Sequence, residues 1–309
     1  MTLVLTAMTP RYVVQAADRL LTKGAAVHDA MANKTIIYRT RDGVMVLSYS
    51  GIAYLSRQPM DEWIAEQLWG DAIGRGPDGC GPAAMMMGQR PNNWTIDQTI
   101  AVLKRRIESI PQRTINLGGL YLAIAGWRVS REAPRPFLME IEREPKATTA
   151  TVSGTPRRQR FKREFAIGRI GAYVAPRVLN AAFDRYRASR TLTMEDVEQT
   201  FVDLIRSVAY RNRTVGPNVL CTMFPIDGPA LFRFHPAAAH SARVGSARGE
   251  MIVPVAHTPW IMSSSSLQAP QMTSGQSISD LDGYPLVFDA PLAGNGLLAL
   301  AAAIPRPGP

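Results

Sequence analysis

No stretch of the chain approaches the roughly 20 consecutive apolar residues that a membrane-spanning helix needs, so the sequence predicts no span. No basic residue precedes the short apolar run at residues 1–6, which makes that run a poor secretory signal. Cysteine is scarce: Cys80 and Cys221 lie far apart, match no metal spacing and suit a reducing compartment rather than a disulfide framework. A cytoplasmic protein is expected. The common nucleotide fingerprints are missing too, since no G-x-G-x-x-G opens a helix after a strand and no P-loop occurs. The serines at 263–266 lack the flanking glycines of a nucleophile elbow. His28, His235, His240 and His257 share no Glu or Cys at a metal-ligand spacing, so no metal site is expected.

What is present is an ordinary globular composition, 46% hydrophobic and 19% charged over 309 residues. The 35 Lys and Arg against 25 Asp and Glu leave a net charge of +10. Much of it is concentrated in the run Arg157, Arg158, Arg160, Lys162 and Arg163, which raises the question of nucleic acid. That run carries no interleaved stacking aromatics and no zinc-finger spacing, so a solvated hairpin or assembly surface is favoured.

Residues 3–7 and 12–17 alternate as two strands around the turn Thr9-Pro10-Arg11, and residues 34–38 and 44–49 form a second pair around Arg41-Asp42-Gly43. Helices follow. One opens at Asp61-Glu62; another spans residues 95–110 with Ile96, Ile100, Leu103 and Ile107 at helical spacing, and Pro111 stops it. Residues 74–82 read as a Gly-rich loop, and Met85-Met86-Met87 as adaptable packing. Strands are predicted again at 120–129 and 137–141, then helices at 173–187 and from Thr193, whose cap pairs with Asp196. A closing strand pair is placed at 219–226 and 231–234. From about residue 237 the composition shifts to Ser, Ala, Pro and Gly, dividing the chain into a domain over 1–236 and an extension over 237–309 that packs on the core or is partly mobile. His257-Thr258-Pro259-Trp260 reads as its anchor. The order strands, two helices, strands, two helices, strands argues for an α+β fold, a four-layer αββα sandwich with a C-terminal extension.

Chemistry is suggested at the start of the chain. A threonine freed at the N-terminus carries a nucleophilic hydroxyl and an α-amine of pKa about 7.7–8.0 in one residue, and initiator Met is usually excised before a residue as small as Thr2. Asp18 ends the second strand in Ala16-Ala17-Asp18, and Lys34 starts the third. A buried lysine beside the hydroxyl would lower its pKa, and an aspartate would hold that lysine.

On these residues the chain resembles the catalytic β-subunits of proteasomes and the peptidase subunit of the simpler bacterial ATP-dependent protease, which are N-terminal-nucleophile hydrolases. With Asp61-Glu62-Trp63 after the first sheet, it also resembles an uncharacterised bacterial proteasome-like group. The resemblance implies Thr2, Asp18 and Lys34 as a catalytic set, Thr22 as a backbone contact for extended substrate, and Ser50-Gly51 as the oxyanion turn, here with longer spacing. It also implies an αββα fold, a peptide or amide substrate, no cofactor, and homo-oligomeric rings, with an ATPase partner left open. Two departures bear on activity. Arg169, within Gly168-Arg169-Ile170-Gly171, stands where the family has serine, and Asn212 with Thr214 stand where it has an aspartate and a serine. Two alternatives therefore stand beside a threonine peptidase: a non-catalytic scaffold or binding subunit of the same fold, and, less favoured, a basic nucleic-acid-binding module.

Overall fold

The structure is a computed structural model and describes residues 2–23, 26–69, 85–87, 93–129, 133–154, 166–189, 192–237, 241–246, 249–254, 256–263, 266–270, 272–273, 277–281 and 284–289. The basic run at 157–163 and the Gly-rich loop at 74–82 lie outside them.

Only strands of the two large sheets are labelled. The chain opens with β1 (Leu3–Met8) and β2 (Tyr12–Asp18), then β3 (Thr35–Thr40) and β4 (Gly43–Gly51). Helix α1 (Met60–Trp69), the short β5 (Met85–Met87), α2 (Ile96–Glu108) and the single turn α3 (Gln112–Ile115) follow. Next come β6 (Leu120–Arg128), β7 (Arg135–Arg143), β8 (Thr151–Gly154) and β9 (Ala166–Gly171). Helices α4 (Pro176–Ser189) and α5 (Met194–Arg211) lead to β10 (Val219–Pro225) and β11 (Ala230–His235). The C-terminal part adds β12 (Trp260–Met262), β13 (Ser266–Gln268), β14 (Ser277–Leu281) and β15 (Tyr284–Asp289).

One sheet runs β9-β1-β2-β10-β11-β15-β14 and the other β8-β7-β6-β4-β3-β12-β13-β5. Pairing is antiparallel except where β15 joins β11 and β12 joins β3, both in parallel. Four strands from beyond residue 237 thus lie in sheets begun by the earlier chain.

Alternation along the strands sorts side chains into layers. On β1, Leu3, Leu5 and Ala7 meet Phe183 of α4 and Val197, Phe201 and Ile205 of α5. On the other side, Val4 packs against Ala123 and Ile170, and Met8 joins Ile37, Val46, Trp127 and Phe232 between the sheets. On β4, Met45, Leu47 and Tyr49 pack against Trp63, Ile64 and Leu68 of α1 and Ile100, Leu103 and Ile107 of α2. Helices, sheet, sheet and helices form a four-layer αββα sandwich. Both faces of β1 and β2 are buried, so these strands are nearly continuous apolar runs and not the alternating ones expected from the sequence.

The helix ends follow local chemistry. Thr95 caps α2 and Thr193 caps α5, each in a reciprocal capping box with Gln98 and Asp196 respectively. Helix α4 starts three residues later than the sequence predicts, at Pro176, whose missing N–H suits the first turn.

Candidate active site

Four loops and strand ends converge on Thr2, which lies immediately before β1 and is 4% exposed. Its backbone is held first. The Thr2 carbonyl accepts from Ala172 N–H at 2.7 Å and from Ser50 Oγ at 3.2 Å. Leu3 N–H donates to Asp18 Oδ1 at 2.8 Å. Gly171, at the end of β9, has φ +85, and a Cβ there would lie 1.8 Å from the Thr2 carbonyl oxygen. Only glycine lets β9 approach this closely.

The side chains come next. Lys34 Nζ donates to Thr2 Oγ1 at 2.7 Å, to Asp18 Oδ2 at 3.2 Å and to the Leu20 carbonyl at 2.6 Å. Asp18 is fully buried and also accepts from the amides of Leu20 and Gly216, at 3.1 and 3.0 Å. Three amides and an ammonium thus surround one carboxylate, which satisfies its acceptor capacity without water. Burial lowers the Lys34 pKa from its ordinary 10.5, and the Asp18 charge opposes that shift.

That arrangement decides what the amine can do. As an ammonium it spends one N–H on each partner. As a free amine it keeps two N–H groups and a lone pair. Leu20 O and the Asp18 carboxylate only accept, so they take the two N–H groups, and the Thr2 hydroxyl is left to point its proton at the lone pair. The geometry is that of a base hydrogen-bonded to a nucleophile.

The remaining predicted residues are placed unequally. Ser50 reaches Thr2 through its hydroxyl. Gly51 has φ +101, and a Cβ would sit 2.3 Å from Gly119 O. Ile52 N–H donates to Gly119 O and Tyr49 N–H to Lys34 O. Amides alternate sides along a strand, so the Gly51 N–H turns away from β6, toward the side where the β3 pairing ends beside Lys34. Thr22, half-buried in the short hairpin after β2, stands two residues beyond the carbonyl that holds Lys34.

Arg169 does not stand beside Thr2. It lies mid-strand in β9 opposite Leu5, donates to the Ala172 carbonyl at 3.1 Å and sits 5.0 Å from the Tyr173 ring centre. The positions beside Thr2 are Gly171 and Ala172. Asn212 caps the end of α5 and Thr214 hydrogen-bonds to its Oδ1 at 2.7 Å. Neither bonds to Thr2, Asp18 or Lys34; from their loop, the Gly216 amide does. Sequence reasoning missed the amides of Leu3, Ala172 and Gly216 and the Leu20 carbonyl, because backbone groups carry no residue-type signal.

Two further buried charges shape the approach to Lys34. Arg19 is 1% exposed, donates to the carbonyls of Met31 and Ala32 and lies over Phe234, so it fixes the segment that leads into Lys34. Burial lowers its pKa to about 10, which leaves it charged near neutrality. Asp61, in the first turn of α1, accepts from Asn33 Nδ2 at 3.1 Å and from Trp260 Nε1 at 2.9 Å. Its pKa is raised by burial and held back by those two donors. Trp260, 1% exposed and paired with Ile36, ties the C-terminal segment to the strand that Lys34 introduces.

No protein-family model matches the sequence, and no curated protein matches it. Among solved structures, the chain is similar to a Gly-1 mutant of Anbu from Hyphomicrobium sp. strain MC1, at 15% identity and a TM-score of 0.46, covering 73% of this chain and 82% of that one. It is similar to Anbu, an ancestral beta-subunit, from Yersinia bercovieri at 12% identity and the same TM-score and coverage.

Proposed function

We propose that the chain is a threonine-dependent amidohydrolase acting on peptides, in which Thr2 becomes the N-terminal nucleophile once Met1 is removed. The observation that carries this reading is the hydrogen bond between Lys34 Nζ and Thr2 Oγ1, with Asp18 holding the lysine from the other side. In the reaction, the neutral Lys34 amine takes the hydroxyl proton while Thr2 Oγ1 attacks the amide carbonyl carbon. The Gly51 N–H donates to the oxygen that becomes negative. Collapse breaks the C–N bond, the leaving amine takes the proton from Lys34, and an ester to Thr2 remains. Water, deprotonated by the freed α-amine, then hydrolyses that ester and restores the hydroxyl.

Intact mass of protein with an untagged N-terminus, before and after incubation with a β-lactone, tests the reading. The expected result is loss of Met1 and one adduct, mapped to Thr2 and absent from Thr2→Ala. A retained Met1 sinks the proposal and favours a scaffold of the same fold; so does an adduct that persists in Thr2→Ala.

A further inference from the structure

On the helix-facing side of the first sheet, three ligating side chains of different chemistry meet. Glu198 projects from α5 toward the sheet and is 2% exposed. Cys221 lies on β10 with its side chain on the same, helix-facing side, and is fully buried. His235 ends β11, the strand paired with β10. One carboxylate oxygen, the thiol sulfur and one imidazole nitrogen lie within 4.8 Å of one another. None of this was visible in the sequence, because the three residues come from three separate elements and follow no ligand spacing.

We propose that Glu198, Cys221 and His235 form a binding site for a borderline-soft divalent metal ion of the Zn2+ class, with water in the fourth position. The donor set selects the metal: thiolate and imidazole disfavour Mg2+ and Ca2+ and suit zinc. The geometry is close to what such an ion needs. Zinc bonds of about 2.0–2.3 Å at tetrahedral angles require ligand atoms about 3.3–3.7 Å apart. Here Glu198 Oε1 and His235 Nε2 are 2.7 Å apart, so they part by about 0.6 Å to admit the ion. The Cys221 thiol makes no hydrogen bond with any described residue, so ligation breaks no existing bond of the sulfur.

The surroundings are organised in the way that metal sites usually are. Arg233 pairs with Glu198 through Oε2, the oxygen that does not face His235, and so orients the carboxylate from outside the ligand set. Arg206 of α5 donates to the carbonyls of His235 and Pro236 and holds the strand end that carries the imidazole. A dication with a thiolate, a carboxylate and Arg233 leaves the site with a net charge of +1. A bound ion would join α5 to β10 and β11 by coordination, and uptake would release the thiol proton.

Cobalt(II) titration of the chelator-treated full chain tests the site, since Co2+ reports its ligands by absorption. We expect one equivalent to bind, with a thiolate-to-cobalt charge-transfer band that zinc then abolishes. The band should persist in Cys80→Ser and disappear in Cys221→Ser. His235→Gln, whose side chain lies nearer the surface, should weaken binding at least about tenfold while leaving the apo-protein's melting temperature nearly unchanged. Zinc should raise the melting temperature of the wild type and not that of His235→Gln. No band at one equivalent, or a band that survives Cys221→Ser, overturns the proposal. Equal zinc stabilisation of wild type and His235→Gln does so as well.

Discussion

Replacing Lys34 by Met lowers the rate of Thr2 acylation by about a thousandfold while the chain still folds. Methionine matches the length and volume of the lysine stem, so packing is kept and only the amine is lost. The hydroxyl then loses the base hydrogen-bonded to it, and positioned bases contribute about 10²–10⁴-fold. Removing one partner of a buried ion pair typically costs about 3–5 kcal/mol. Here the cost should fall below that range, because Asp18 keeps the amides of Leu3, Leu20 and Gly216. Adduct formation followed by mass, with urea unfolding of the same samples, separates the two effects. A loss of acylation no greater than the loss of folded protein would show Lys34 to be structural only.

The same lysine leaves a signature in pH. Its folded pKa is depressed below 10.5 by burial, so between the folded and unfolded values the unfolded chain binds the extra proton. Stability from this group therefore rises with pH across that window, and below it the buried ammonium carries its full desolvation penalty. The stability of the wild type relative to Lys34→Met should increase as pH approaches 10.5 from below. A constant difference over that range would mean that the folded state does not perturb the amine.

Gly171→Ala is the second large effect, and it acts without touching a titratable group. The added methyl would lie 1.8 Å from the Thr2 carbonyl oxygen and 2.5 Å from Ser50 Oγ, at a φ of +85 that alanine rarely adopts. The first of these neighbours is backbone, so β9 and the start of β1 must separate and the hydrogen bond from Ala172 N–H to Thr2 O is broken. A left-handed non-glycine residue costs about 1–3 kcal/mol by itself, and we expect the upper end or beyond. Acylation should fall by at least about a hundredfold, since misplacement of the nucleophile by about 1 Å is enough for that. Gly118→Ala is the control: its nearest non-neighbouring atom would be 4.0 Å away, and its φ is not in the left-handed range. Equal urea midpoints for the two variants would refute the close-approach argument.

The strands that frame the site were readable because short apolar, β-branched runs bounded by the Pro10 and Gly43 turns fix β1 to β4 locally. Asp18 is brought beside Thr2 by the pairing of β1 with β2, and Lys34 by the packing of the second sheet on the first, so sequence spacing carried real geometric information. Less could be read where geometry is set by backbone. Gly168-Arg169-Ile170-Gly171 was aligned by glycine pattern and pointed to Arg169, yet the strand continues to Gly171 and the contact falls there. The C-terminal strands were hidden for another reason. Their Ser, Ala, Pro and Gly composition gives little periodicity, and they pair with strands already formed, so their partners lie far off in sequence. The ligand cluster of Glu198, Cys221 and His235 needs three elements to be docked before it exists at all.

Parallel pairing of β12 with β3 has a consequence for how the chain is made. More than 200 residues separate Ile36 from its partner Trp260. At about 5–20 residues per second, a ribosome takes about 10–45 s to cover that distance. Throughout that interval the β3 edge is without its neighbour and Asp61 without the indole N–H. Over that stretch of synthesis the nascent chain must therefore carry an open strand edge and an Asp61 carboxyl lacking one of its two side-chain donors. Completion of the second sheet comes long after its first strands are made, and the segment holding Lys34 acquires its final support only then.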